Sequence, residues 1–175
     1  YANLDRIVRL DKIAGDRKGV LLDIAQNVFT YGRVKRSFPA NQLTDPNMFK
    51  SLLFYYGMVT IKGMRGAQCI LGIPNNNVRE QYYNYMLVEY NKIHTIDLSR
   101  LTASFDDAAL DGNWQPMMEC ICRQYHDTTS VRSLIEGERN LQGFMNALLT
   151  LNPYYLTCPE VELNHCYCDF FLMPD

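Results

Sequence analysis

The stretch from residue 45 to residue 72 constrains the fold most, because it carries the start, the buried face and the end of a helix, followed by two strands. Asp45-Pro46 offers a helix N-cap with proline at the first helical position, and Gly57 can end the helix in a left-handed conformation. Apolar residues recur on one helical face between them: Phe49, Leu52, Leu53 and Tyr56. Met58 to Lys62 and Gln68 to Gly72 then flank a glycine-containing turn over residues 63–66, which predicts a hairpin.

The preceding residues predict two helices and a short strand. Helical apolar spacing runs from Leu4 to Ile13 and again from Val20 to Phe29, and Arg33 to Phe38 alternates as a strand does. The order helix, helix, strand, helix, hairpin is that of a winged helix. Lys62 and Arg65 would then lie on the wing, where they are weak candidates for substrate binding.

The remainder predicts more helices and a final pair of strands. Asn77-Val-Arg-Glu80 is typical of a capping box, and the helix that it starts runs to Tyr90. A later helix carries a broad apolar stripe that ends at Leu151, and strands are expected over residues 154–157 and 166–173. We therefore expect a helix-rich α+β chain with two modules, residues 1–93 and residues 94–175.

Charge is divided between the two ends of the chain, although its net value is only −2. Residues 1–66 hold 11 Lys and Arg against 5 Asp and Glu, a balance of +6, and the rest holds 6 against 14, a balance of −8. Such asymmetry suits a basic module that faces an anionic partner, and it suits equally two solvated faces of unlike sign.

Composition and length favour a folded cytoplasmic protein. A hydrophobic content of 47% with 21% charged residues is ordinary for a globular domain of 175 residues. No apolar run approaches the roughly 20 residues that span a bilayer, so no membrane partner is expected. Because the first residue is Tyr1, we expect that a longer polypeptide continues before it.

Six cysteines raise the alternatives of zinc ligands, disulfides and buried thiols. Cys120 and Cys122 would point about 200° apart on a helix, so they cannot grip one ion together. Cys166 and Cys168 share a strand face with His165 beside them, but two core residues would do the same. Thiols are the favoured interpretation, and a zinc protein is a distant third among the functional hypotheses.

Aromatic clusters at residues 54–56 and 82–85 could stack nucleic-acid bases, but helical aromatic stripes are more often core. Duplex readout needs basic residues on the third helix of a winged helix, and that helix has only Lys50. A structural or coupling module is therefore favoured. Among the carboxylates, Glu138, one turn into the helix expected from Ser130, and Asp169, within an apolar strand, stand out. For Asp169, cation binding and a backbone-capped surface acid are equally good interpretations.

The second half resembles a PD-(D/E)XK nuclease-like domain. The pattern is Glu138-Arg-Asn-Leu-Gln142 with a Leu-rich helix, then Pro159-Glu-Val-Glu162, then Cys168-Asp169 before Phe-Phe-Leu. The first half, in Ser51-Leu-Leu-Phe-Tyr-Tyr-Gly57 and Ile73-Pro-Asn75, resembles the segment after the AAA-ATPase-like domain of Bacteroidetes-type proteins. Both pieces occur in this order in that family.

The resemblance implies roles for four acids. Glu138 matches the helix acid and Asp169 the strand acid, both as catalytic residues, while Asp169, Glu160 and Glu162 match a Mg²⁺-binding set. Two features depart from the family: Leu141-Gln142 replaces Tyr-His, and Asn164 to Tyr167 replaces a Gly-Arg-rich turn. No Glu-x-Lys strand follows Asp169, and no phosphate loop is present, so ATP belongs to an ATPase module outside these residues.

The resemblance therefore implies part of an AAA-ATPase-like protein, with a winged-helix-like module followed by an incomplete nuclease-like α/β module. Its partners would be nucleic acid and the ATPase module of the same polypeptide, and the parent would be a metal-dependent nucleic-acid hydrolase coupled to ATP. The alternative is a non-catalytic interaction or scaffolding module with a decayed nuclease fold. We expect this chain alone to be inactive.

Overall fold

Across the described residues, helices dominate and two small antiparallel sheets complete a helix-rich α+β architecture. The computed structural model describes residues 17–27, 29–37, 45–93, 95–127, 138–163 and 166–174. The helices are α1 (Arg17–Gln26), α2 (Pro46–Tyr55), α3 (Asn76–Ile93), α4 (Leu98–Leu110), α5 (Gln115–Asp127) and α6 (Glu138–Leu149). The strands are β1 (Phe29–Gly32), β2 (Thr60–Arg65), β3 (Gln68–Gly72), β4 (Tyr155–Leu163) and β5 (Cys166–Pro174).

The chain forms two compact units, residues 1–82 and 83–175. The division falls within α3, whereas the modules predicted from the sequence meet at residue 93; that module boundary stays a prediction. No helix in the described part of the chain is both long enough and apolar enough to cross a bilayer.

In the first unit, α2 begins and ends as its sequence predicts. The Asp45 carboxylate accepts a hydrogen bond from the Asn47 amide at 2.8 Å, with Pro46 in the first turn. Gly57 follows the helix with φ of 71°, a conformation that costs glycine little. Phe49 and Leu53 are buried, whereas Leu52 is half-buried and Tyr56 is exposed, so the predicted apolar stripe is buried only in part.

The first sheet has the order β1-β3-β2, with every neighbouring pair antiparallel. β2 and β3 form the predicted hairpin, but its turn is Gly66-Ala67, with φ of 60° at Gly66. Gly63 lies inside β2, where the pairing slips between Ile61 and Gly63.

Three local expectations in this region are wrong. The helical run expected over Val20 to Phe29 is α1 at Arg17–Gln26, and Phe29 belongs to β1. The strand expected over Arg33 to Phe38 is instead β1 at Phe29–Gly32, because those residues pair with β3. Residues 33–37 are irregular. Phe38 and the helix expected over Leu4 to Ile13 lie outside the described residues. The cap of α3 is Asn75, not Asn77, since its side-chain oxygen accepts from the Val78 amide at 3.0 Å.

The second unit holds a helical hairpin, a further helix and a two-stranded sheet. The Asp97 carboxylate caps α4 by accepting from the Arg100 amide at 3.1 Å, and Gly112, with φ of 69°, stands in the turn before α5. Phe144 of α6 is buried between two tyrosines, with ring centroids 5.4 Å from Tyr90 and 6.1 Å from Tyr125. This packing fixes the helix that faces the candidate site.

Candidate functional site

The β4–β5 hairpin brings two of the predicted acidic positions together. Pro159 pairs with Phe170 and Val161 pairs with Cys168, so the unbroken register puts residue 160 opposite Asp169. Directly opposed residues of an antiparallel pair have Cβ atoms about 4.5–5.5 Å apart, on the same face of the sheet. Position 162 lies on that face too, because side chains alternate along a strand.

The face that carries Asp169 is the more exposed face of β5. Asp169, Phe171 and Met173 are exposed, whereas the alternating residues Cys168, Phe170 and Leu172 are half-buried. Glu162 on β4 is exposed as well. The exposed face therefore combines acidic side chains with apolar ones.

Gln142 connects α6 to this face. Its side-chain Nε2 donates a hydrogen bond to Asp169 Oδ1 at 3.3 Å. Gln142 is held in place by its helix, whose opposite side buries Phe144 and Leu148. Asp169 therefore has an oriented neutral donor on one of its two carboxylate oxygens.

Glu138 begins α6 four residues before Gln142. Positions four apart lie on the same face of a helix, so the backbone puts position 138 one turn from the residue that contacts Asp169. The side chains of Glu138 and Glu160 lie outside the described residues. The two predicted catalytic positions thus belong to elements that meet through Gln142.

Mg²⁺ prefers hard oxygen ligands, and the carboxylates of Asp169 and Glu162 could supply such ligands. Among the described side chains, however, no three His, Cys, Asp or Glu residues come together as metal ligands. A third carboxylate at this face would have to come from Glu160 or from further polypeptide.

Comparison with known proteins identifies no relative. No protein-family model matches this sequence, and neither a curated protein nor a solved structure shows significant similarity to it. The likeness to AAA-ATPase-like proteins with a nuclease-like domain consequently rests on the motifs alone.

The predicted wing residues lie on β2, but their environments differ. Lys62 is exposed. The Arg65 guanidinium lies over the Tyr31 ring, 5.3 Å from its centroid, and Arg65 Nη1 donates to the Tyr31 hydroxyl at 3.1 Å. Arg65 is thus positioned by an aromatic partner that the sequence analysis did not connect with it.

Lys50, the sole basic residue of α2, contributes to a polar network inside the first unit. Its Nζ donates to Thr30 Oγ1 at 2.8 Å and to the Tyr31 carbonyl at 2.9 Å. Thr30 Oγ1 in turn donates to Asp23 Oδ2 at 2.6 Å, so one buried threonine joins α1, β1 and α2. The lysine side chain is only 13% exposed, which leaves it poorly placed to reach a DNA groove.

All six cysteines are free thiols. Cys120 is buried and Cys122 is exposed on the same helix, as the angular separation predicted. Burial raises the pKa of the Cys120 thiol above its ordinary value. Cys166 and Cys168 lie on β5, the former exposed and the latter half-buried, with the Cys168 thiol donating to the Phe170 carbonyl at 3.0 Å.

Proposed function

We propose that this chain is part of an AAA-ATPase-like protein and that its second unit supplies the acidic half of a PD-(D/E)XK nuclease-like domain. In the complete domain the activity would be metal-dependent hydrolysis of nucleic-acid phosphodiester bonds, coupled to ATP through the ATPase module of the same polypeptide. Mg²⁺ is the suspected metal, and nucleic acid is the proposed substrate.

One observation carries the proposal. The register of the hairpin puts position 160 opposite Asp169, and α6 reaches Asp169 through Gln142. The register thereby brings two acidic positions that the motifs selected to one face of the hairpin, where carboxylate oxygens could hold a divalent cation.

The chemistry needs more groups than this chain supplies. Phosphodiester hydrolysis of this type uses carboxylates to hold a divalent ion and a lysine beside the attacking water. Asp169 would be an ion ligand, with Glu160 and Glu162 as further candidates, and Glu138 would act without touching the ion. No Glu-x-Lys follows Asp169 in these 175 residues, so the chain alone should not cleave nucleic acid.

The first unit supports a winged-helix-like coupling role. The sheet order β1-β3-β2 and the hairpin that follows α2 are the observations that support this proposal. Lys50 is engaged within the unit, which supports coupling in preference to sequence readout by α2.

A cleavage assay tests the proposal. The 175-residue chain and a polypeptide that continues it with a Glu-x-Lys strand are incubated with labelled DNA and RNA in Mg²⁺ or Mn²⁺. We expect cleavage only by the longer polypeptide, and we expect Asp169→Asn to abolish it while Asp127→Asn, an exposed acid on α5, does not. Cleavage by the short chain that survives Asp169→Asn would overturn the proposal.

A non-catalytic scaffolding role is the second candidate, and the Gln142 contact favours it. An amide donor satisfies one oxygen of Asp169 with a neutral protein group, which is what a purely structural surface acid needs. The exposed Phe171 and Met173 on the same face suit the docking of further polypeptide. If the role is scaffolding, the longer polypeptide would fold but would not cleave nucleic acid, and Asp169→Asn would not unfold it.

A further inference from the structure

The first sheet has an inner face and an outer face, and the alternation of β1 separates them. Thr30 points inward, since its hydroxyl contacts Asp23 of α1 and Lys50 of α2, and its partner on β3, Leu71, is fully buried. Gly32 is inward as well, because a Cβ there would lie 3.1 Å from the Lys50 side chain. Phe29 and Tyr31 must therefore lie on the outer face.

The outer face carries an aromatic pair held by an arginine. The Phe29 and Tyr31 rings meet edge to face with centroids 5.5 Å apart, and Phe29 is 42% exposed. Ile70 of β3 pairs with Tyr31, so Gln68, two residues before Ile70, lies on the outer face as well. Arg65 pairs with Gln68 and contacts the Tyr31 ring and hydroxyl, so it belongs to the same face. We call Phe29, Tyr31, Ile70 and Arg65 the aromatic face.

Exposed cations border the aromatic face along the chain. Arg33, Lys35 and Arg36 are exposed and follow β1 directly, and Lys62 is exposed on β2. They belong to the part of the sequence with a charge balance of +6 over residues 1–66. An exposed aromatic ring on a sheet that also carries exposed cations offers a stacking surface and phosphate contacts, the combination on which single-stranded nucleic-acid binding depends.

We propose that the aromatic face binds a single-stranded polynucleotide, with one base stacked on Phe29 and Arg65 contacting the adjacent phosphate. Tyr31 orients Arg65 through the ring contact and the hydroxyl bond. Duplex DNA is disfavoured, because its bases are stacked on each other and because Lys50 is engaged within the unit. The proposal deepens the nucleic-acid partner of the proposed function but uses none of the acidic residues of the second unit.

Fluorescence anisotropy with labelled strands tests this site. Oligo(dT) and oligo(rU) of about 15 nucleotides, and a duplex of the same length, are titrated with the 175-residue chain. We expect both single strands to bind more tightly than the duplex. Tighter binding of oligo(dT) identifies single-stranded DNA as the ligand, and tighter binding of oligo(rU) identifies RNA. Equal affinities indicate that the site recognises the phosphates and bases that DNA and RNA share.

Substitutions then locate the site. Phe29→Ala should weaken binding about 5- to 150-fold, the range for loss of one stacked base, whereas Phe29→Trp should retain it because a larger ring still stacks. Arg65→Ala should weaken binding and reduce the slope of log K against log salt by about 0.7, as loss of one phosphate contact does. The controls are Tyr55→Ala, at a somewhat more exposed aromatic residue of the same unit, and Arg123→Ala on α5.

The outcomes separate this site from the nuclease-like hairpin. The anisotropy assay measures binding without cleavage, and none of its variants alters the hairpin, so inactivity of the hairpin and failure of the aromatic face are distinguishable. Absence of single-strand binding, preference for duplex, or equal losses in Tyr55→Ala and Phe29→Ala would each overturn the proposal. If Phe29→Ala unfolds the unit, the test rests on the other two variants. Retained binding in Phe29→Trp with weakened binding in Arg65→Ala supports the site, and unchanged binding in Arg65→Ala contradicts it.

Discussion

Gln142 Nε2 donates a hydrogen bond to Asp169 Oδ1 across 3.3 Å, and this contact joins α6 to β5. A two-stranded hairpin is at best marginally stable by itself, so its contact with a helix should matter locally. Gln142→Ala should therefore increase amide hydrogen exchange in β4 and β5 and change global stability by less than about 1.5 kcal/mol, since the bond is exposed. Gln115→Ala removes a comparable exposed bond to Glu119 and should leave the hairpin's exchange unchanged.

Leu53 is fully buried in α2, and shortening it should destabilise the first unit. Leu53→Ala should lower the free energy of unfolding by about 2–4 kcal/mol, because it removes apolar contacts and leaves a cavity. Chemical denaturation measures this change. Tyr55→Ala, two residues along at a site 53% exposed, should alter stability by no more than about 0.5 kcal/mol. Equal unfolding midpoints for Leu53→Ala and the wild type would show that α2 does not face the core.

Cys120 and Cys122 should differ in reactivity although only one residue separates them. Cys122 is exposed, whereas burial raises the pKa of the Cys120 thiol and withholds its thiolate. A disulfide reagent at about pH 8 should modify Cys122 rapidly and Cys120 only after unfolding. Mass spectrometry of the two sites, with Cys122→Ser as the control, checks this order. Six reactive thiols should appear under denaturing, non-reducing conditions. Rapid modification of native Cys120 would contradict its placement.

The hydrogen bond from the Tyr154 hydroxyl to Asp106 at 2.8 Å should make stability depend on alkaline pH. This bond is the main reason why the pKa of Tyr154 is raised. The folded state therefore keeps its proton above the ordinary tyrosine pKa of about 10, where the unfolded state loses its own. The stabilisation is complete below about pH 10 and is lost as the pH rises through the folded pKa. Denaturation series at about pH 8 and 10.5 measure this effect. Between these two pH values the free energy of unfolding should fall less for Asp106→Asn than for the wild type or for Asp107→Asn.

Elements with local signals were the ones that the sequence predicted well. α2 has its cap at Asp45, its proline at Pro46 and its terminating glycine at Gly57 within thirteen residues, so no distant contact is needed to define it. The β2–β3 hairpin is similarly local, although only pairing geometry could reveal that the turn uses Gly66 and that Gly63 lies in the strand.

The sequence does not predict the bounds of elements that depend on distant pairing or on a choice between identical side chains. β1 exists because Phe29–Gly32 pairs with Cys69–Gly72, and four residues carry too little pattern to reveal that pairing. The α3 cap could not be chosen among Asn75, Asn76 and Asn77, since each has the same side chain. β4 extends to Leu163, beyond the expected end at Thr157; a proline such as Pro159 is tolerated on an edge strand.

The candidate site shows the same division. The motifs selected Glu138, Glu160 and Asp169, but spacing alone could not show that position 160 opposes position 169. The role of Gln142 emerges from the packing of α6, because a glutamine on a helix has no sequence signal for a partner 27 residues away.

Paramagnetic line broadening by Mn²⁺ measures directly whether the β4–β5 hairpin is a divalent-cation site. In amide-resolved NMR spectra of the 175-residue chain, Mn²⁺ should broaden the resonances of residues 160–162 and 168–170 first. Asp169→Asn should remove that broadening, whereas Asp111→Asn, at an exposed acid beyond α4, should not. Broadening centred elsewhere, or hairpin broadening that persists in Asp169→Asn, would contradict the assignment of Asp169 as an ion ligand.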